Sequence, residues 1–273
     1  MEQTLALPHG TLTWDDVGPH RGALTVVLLH GFPHDRSLWS GQVSAHDTAF
    51  PGTRLLVPDL PGFGRSAPLA VPGMDGHADA VAALLDAAGV SQAVIGGLSM
   101  GGYVAMAFWR RHPDRVRALI LMDTKAGADD DAGRAKRREL IATVQRDGVG
   151  MLVDGLVASQ LGPVTLEREP AAVERVAVML RRAPALGVVS AAQAMMDRPD
   201  STGTLETITV PTLVLVGVDD TLTPVTESIA MSSAIRGSRL VTIPDAGHLA
   251  PLEQPQVVNA AIAEFLDVAV RGG

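Results

Sequence analysis

The sequence predicts an α/β fold. It reads as doubly wound around a mostly parallel sheet, with a helical lid inserted between strands 6 and 7. Three observations predict it. Short apolar runs recur, each is followed by a loop and a helical pattern, and the alternation breaks once, over residues 125–205.

The first twenty residues read as an antiparallel edge hairpin that turns at "PHG" (8–10). Six strand candidates follow: "LTVVLLH" (24–30), "RLLVPDL" (54–60), "AVIGGLS" (93–99), "VRALILMD" (116–123), "VPTLVLVG" (210–217) and "SRLVTIP" (238–244). Their hydrophobicity is continuous rather than alternating, the mark of strands covered on both faces by helices. Helical patterns fill the gaps around 75–88, 100–112, 225–235 and 255–268. Between 125 and 205 no strand is legible, but "AGRAKRRELIATVQRDG" (132–148) and "AAVERVAVMLRRAP" (171–184) carry helical spacing. Because strands resume afterwards, the expected organisation is a core of residues 1–124 and 206–273 with 125–205 as a lid. No repeat or low-complexity linker interrupts it.

Composition narrows the function classes. Of 273 residues, 47% are hydrophobic and 19% charged, which suits a soluble protein with a large core. A formal charge of −8 with no basic run argues against nucleic acid or an anionic membrane as partner. The chain has no cysteine, which excludes disulfides, thiolate catalysis and Cys-ligated zinc. "MEQTLALPHGTLTW" has neither the charged nor the apolar region of a secretory leader, so a cytoplasmic location is expected.

The chemistry centres on Ser99. Gly97-Leu98-Ser99-Met100-Gly101 is a G-x-S-x-G stretch between a strand candidate and a helix candidate. It could be a glycine-rich turn that happens to hold a serine, or a bend that presents a nucleophile. A serine hydroxyl needs a base to take its proton. Of eight histidines, His9, His20, His46, His77 and His112 read as turn, loop or helix-end residues, and His34 as a loop residue. His248, in "IPDAGHLAPLEQP" beyond the last strand, is the candidate base; a surface histidine is the competing reading. Asp219 and Asp220 follow the penultimate strand, so the order Ser…Asp…His is available. Backbone amides of Met100 and of Phe32, in the loop after "VVLLHG", are candidate donors to an oxyanion. No histidine–carboxylate cluster has metal-ligand spacing, and neither cofactor nor metal is expected.

On "HGFP" (30–33), "VPDLPGFGRS" (57–66), "GLSMGG" (97–102), "GVDDTLTP" (217–224) and "AGHLAPLEQP" (246–255), the chain resembles the α/β-hydrolase superfamily over nearly its whole length. The resemblance selects Asp220 over Asp219 as the acid, keeps Asp123 in reserve because some members place the acid there, and makes Asp59 structural. "LMDTKAGADDDAGRAKRR" (121–138) and "AAQAMMDRPDS" (191–201) resemble small bacterial esterases, enol-lactonases and cofactor-free haloperoxidases, which implies an enzyme acting on a small ester or lactone. A ligand sensor of the same fold is the alternative from another class. A short-chain carboxylesterase is the leading expectation, with a pocket walled by some of Met151, Leu152, Leu156, Met179, Leu180, Met195 and Met196. An enol-lactonase would need a cation for a substrate carboxylate, with Arg181, Arg182 and Arg198 the lid candidates. The state of assembly, monomer or homodimer, stays open.

Overall fold

A computed structural model describes residues 1–8, 10–20, 22–67 and 71–271; His9 lies outside the described residues. Eight strands form one sheet in the order β1-β2-β4-β3-β5-β6-β7-β8. β1 (Glu2–Leu7) and β2 (Gly10–Val17) make the antiparallel edge hairpin, and β2 pairs antiparallel with β4 (Thr53–Asp59). From there β3 (Leu24–Leu29), β5 (Ala93–Leu98), β6 (Val116–Met122), β7 (Thr212–Gly217) and β8 (Arg239–Ile243) continue in parallel.

The continuous apolar runs have a direct structural cause. Successive side chains on a strand point to opposite faces, and in β3 to β7 both faces are core, whereas β8, at the sheet edge, is mostly exposed or half-buried. Val27, Leu29, Ile95, Leu119, Leu121 and Val214 enter one buried cluster. Their neighbours Val26, Leu28, Val94, Ile120, Met122, Leu213 and Leu215 enter the other. The first cluster is closed by helices α1 (Gly73–Ala87) and α2 (Met100–Arg111), the second by Leu38 and Trp39 and by the helix of residues 255–265.

Between β6 and β7 the chain is helical. α3 (Asp131–Asp147) starts where the Asp130 carboxylate accepts the Gly133 N–H at 2.7 Å, an N-cap that satisfies an otherwise orphan amide. α4 (Val153–Gln160), α5 (Pro163–Arg168), α6 (Pro170–Arg181) and α7 (Ala185–Met196) follow. α5 and α6 each open with a proline, which fits a first turn because no N–H is needed there. α8 (Val225–Ala234) and α9 (Pro255–Phe265) complete the set of longer helices. No helix among the described residues is long and apolar enough to cross a membrane.

Candidate active site

Ser99 sits between β5 and α2 in a backbone conformation that side chains seldom adopt, φ 53° and ψ −112°. Three things hold it there. The Ser99 N–H donates to the Met122 carbonyl at 2.9 Å, and its own carbonyl accepts from Thr124 Oγ1 at 2.8 Å and from the Gly102 N–H at 2.9 Å. The flanking glycines answer to close approach: a Cβ on Gly97 would collide with the Gly101 carbonyl, and one on Gly101 with the Leu29 carbonyl. The bend is therefore a strained one, locked by its neighbours.

His248 lies in the loop after β8 and is buried rather than on the surface. Its Nε2 is 2.8 Å from Ser99 Oγ and its Nδ1 is 2.8 Å from Asp220 Oδ2. Asp220 follows β7. Its Oδ1 accepts the amides of Leu222 at 2.8 Å and Thr223 at 3.0 Å, and its Oδ2 accepts the Thr223 hydroxyl at 2.6 Å. Burial works to raise the Asp220 carboxyl, but the bonds from His248 and Thr223 outweigh it and hold the group below its ordinary range. As an ionised acceptor, Asp220 takes the Nδ1–H, which leaves Nε2 to accept from Ser99.

The other carboxylates are used elsewhere. Asp123, at the end of β6, accepts the Gly217 N–H at 2.7 Å, and burial, with the Asp220 charge adding to it, pushes its carboxyl well up. Asp59 accepts the Arg36 and Arg65 amides, each at 2.8 Å, and the Arg36 guanidinium at 2.8 Å, so it ties two loops together. That fits the structural role the sequence suggests.

The loop after β3 abuts Ser99 so closely that a Cβ on Gly31 would lie 3.4 Å from the Ser99 Cβ. His30, which burial holds below its usual histidine range, spans this loop: its Nε2 accepts the Leu60 N–H at 2.9 Å and its Nδ1 faces the Gly31 carbonyl at 2.9 Å. Those partners fix the Nδ1–H tautomer. Met100 is the first residue of α2, so its amide belongs to those a helix leaves unpaired inside itself.

A cavity of about 380 Å³ opens on Ser99 and His248. Phe32, Tyr103, Leu140, Leu156, Met195 and Leu222 give it an apolar wall. Of the sequence's lid candidates, Leu156 and Met195 line it, while Met151 is 67% exposed and Leu180 is in the core. The arginines are elsewhere too. Arg181 pairs with Glu174 at the surface, and Arg182 grips Asp35 at 2.7 and 2.8 Å. Arg198 is buried, 2.9 Å from Asp129 and stacked 4.0 Å over the Tyr103 ring. The cavity's cations are Lys125, Lys136 and Arg137 instead. Gly133, Lys136, Arg137 and Leu140 share one face of α3 at the i, i+3, i+4, i+7 spacing, a stripe readable in "AGRAKRREL".

Sequence reasoning also missed what holds His248. The His248 N–H donates to the Gln160 carbonyl at 2.8 Å, and Gln160 Nε2 donates to the Phe32 carbonyl at 3.1 Å. Glu253 accepts the amides of Gly247 at 2.9 Å and Leu249 at 3.1 Å on one oxygen, and Gly162 at 2.7 Å and Thr165 Oγ1 at 2.8 Å on the other. His34, His46 and His77, which read as loop or helix-end residues, are all buried. Burial lowers His34 to about 3 and His77 to about 4, so both are neutral.

Comparison with known proteins agrees with this architecture. A family model described as the alpha/beta hydrolase fold matches residues 25–255. A thermophilic esterase from Thermogutta terrifontis, solved with malate bound, superposes with TM-score 0.91 at 41% identity, covering 98% of this chain and 97% of that one. The enol-lactonase from Burkholderia xenovorans superposes with TM-score 0.88 at 25% identity, covering 97% and 100%. A pimeloyl-[acyl-carrier protein] methyl ester esterase of Neisseria meningitidis is 31% identical over 248 residues, 89% of this chain and 93% of the relative.

Proposed function

The chain belongs to the α/β-hydrolase family, and on that premise we propose that it hydrolyses short-chain carboxylic esters through an acyl-enzyme on Ser99. The observation that carries the reading is the hydrogen-bonded line from Ser99 Oγ through His248 to Asp220, opening on a small cavity with an apolar wall. Its similarity to esterases supports the substrate class.

In this reading Ser99 Oγ bonds to the ester carbonyl carbon as its proton passes to His248 Nε2. The carbonyl electron pair moves onto oxygen, where the Phe32 and Met100 amides receive it. Collapse breaks the bond to the alcohol oxygen, which leaves with the proton from Nε2. Water then gives a proton to His248 and attacks the acyl-serine. The second collapse frees the acid and returns the proton to Ser99. Asp220 stays ionised throughout and holds the imidazole in its productive tautomer. A lactone would open through the same steps, its alcohol remaining tethered to the acid.

Cavity size sets the chain length. Each buried methylene contributes about 0.8 kcal/mol until the space is full, so kcat/KM should climb over the first few carbons and then fall. Esters from acetate to dodecanoate test this, beside a fluorophosphonate label mapped by mass spectrometry. We expect one labelled serine, Ser99, and a short-chain maximum. A label on another serine, or no turnover of any ester, would overturn the reading.

A further inference from the structure

The wall of the Ser99 cavity carries more positive charge than its own residues neutralise. Lys125, Lys136 and Arg137 line it, and among the lining residues Asp129 is the single carboxylate. Asp129 is already shared: Arg137 Nε lies 3.0 Å from it, Arg198 Nη1 2.9 Å and Lys125 Nζ 3.8 Å. Among the described residues Lys136 forms no ion pair at all, and Arg137 engages Asp129 through Nε alone, which leaves its terminal amino groups for another acceptor. The surplus stands in a chain of net charge −8. It is also directional, because Lys136 and Arg137 lie on the α3 face that borders the cavity, with Gly133 and Leu140 on the same stripe.

Like charges gathered on one cavity repel one another unless an anion joins them, and the cavity's apolar wall of Phe32, Leu140, Leu156 and Met195 focuses their field on that space. A neutral ester would leave the surplus unmatched. A carboxylate would accept from the free guanidinium nitrogens and from the ammonium groups in charge-assisted bonds. We propose that Lys125, Lys136 and Arg137 form an anion subsite, and that the substrate is an ester carrying a free carboxylate. This rests on the ester-hydrolase reading of Ser99 and specifies its substrate class.

The test compares esters matched in all but charge. Methyl hydrogen glutarate places the carboxylate on the acyl side and O-acetylglycolate on the alcohol side; dimethyl glutarate and methyl O-acetylglycolate are their neutral partners. At least one carboxylate should raise kcat/KM over its neutral partner by about tenfold or more, chiefly through KM, and the side that does so identifies which half enters the subsite. The advantage should shrink as salt rises from about 0.05 to 0.5 M. Lys136→Glu keeps a helix former at an exposed position, and it should erase or invert the charged-to-neutral ratio. Calorimetric titration of methyl hydrogen glutarate into Ser99→Ala reads binding without turnover. Equal rates for charged and neutral esters, unmoved by Lys136→Glu, would overturn the subsite and leave the ester reading standing. Salt-dependent binding to Ser99→Ala, with no turnover of any ester by the wild type, would sink the ester reading and keep the subsite.

Discussion

Each candidate group at the site has one position and one set of partners. Asp220→Asn should lower kcat by up to about 10⁴-fold with the fold intact, because an amide facing Nδ1 favours the wrong tautomer; steady-state rates and circular dichroism check both halves. Asp123 gives the contrasting case. Its carboxyl is raised well above the ordinary value of 3.8, so the native state holds that proton more tightly than the unfolded chain does. The stability this contributes is complete below the unfolded value and is lost as pH climbs toward the folded one. Asparagine keeps the oxygen that accepts from Gly217 and tolerates the positive φ of 42° at this position. Asp123→Asn should therefore melt above wild type near neutral pH, with the gap closing as pH falls toward about 4, and it should keep activity. Melting curves across pH decide it: an unchanged or lower melting temperature at neutral pH would contradict the assignment. Ser99, Asp220 and His248 were legible because turn chemistry and chain order leave marks in sequence. Lys136 and Arg137 were not, because cations on a helix look the same whether they face water or a cavity.

At the scale of elements, β3 to β8 were readable to within two residues at each end. The tie between the helical insertion and the His248 loop was not, since it depends on Glu253 meeting Gly162 and Thr165, distant in sequence. This one carboxylate joins the turn before α5 to the loop after β8. Removing it would strand buried donors on both sides, at roughly 1–3 kcal/mol for each that stays dry. We expect Glu253→Ala to reduce kcat well beyond its effect on KM. Amide exchange should quicken together over 161–165 and 246–249. Faster exchange on one side only would mean that the two segments are held independently. Glu253 is a positioning residue in this account, acting through His248.

Over the whole molecule, the helices between β6 and β7 pack into the same clusters as the sheet. Among the described residues the insertion forms no separate core. Val144, Val188, Ala192 and Met195 join the sheet's first cluster, while Val157, Val176 and Leu180 join the second. Thermal unfolding should thus show one calorimetric transition, with the calorimetric and van't Hoff enthalpies equal. Two resolved transitions would mean that the helices melt apart from the sheet. The same arrangement governs where the chain can change in length. A strand that sends alternate residues into two cores has no neutral register: one residue added within 93–98 would exchange Val94 for Ile95 across the sheet and turn the bend at Ser99 with them. Gly150, where an added Cβ meets nothing within 4 Å, and its neighbour Met151 lie on open surface. Growth by insertion is thus confined to segments beyond the strand ends, and the helical stretch between β6 and β7, which sends Leu156 and Met195 to the Ser99 cavity, is one of them.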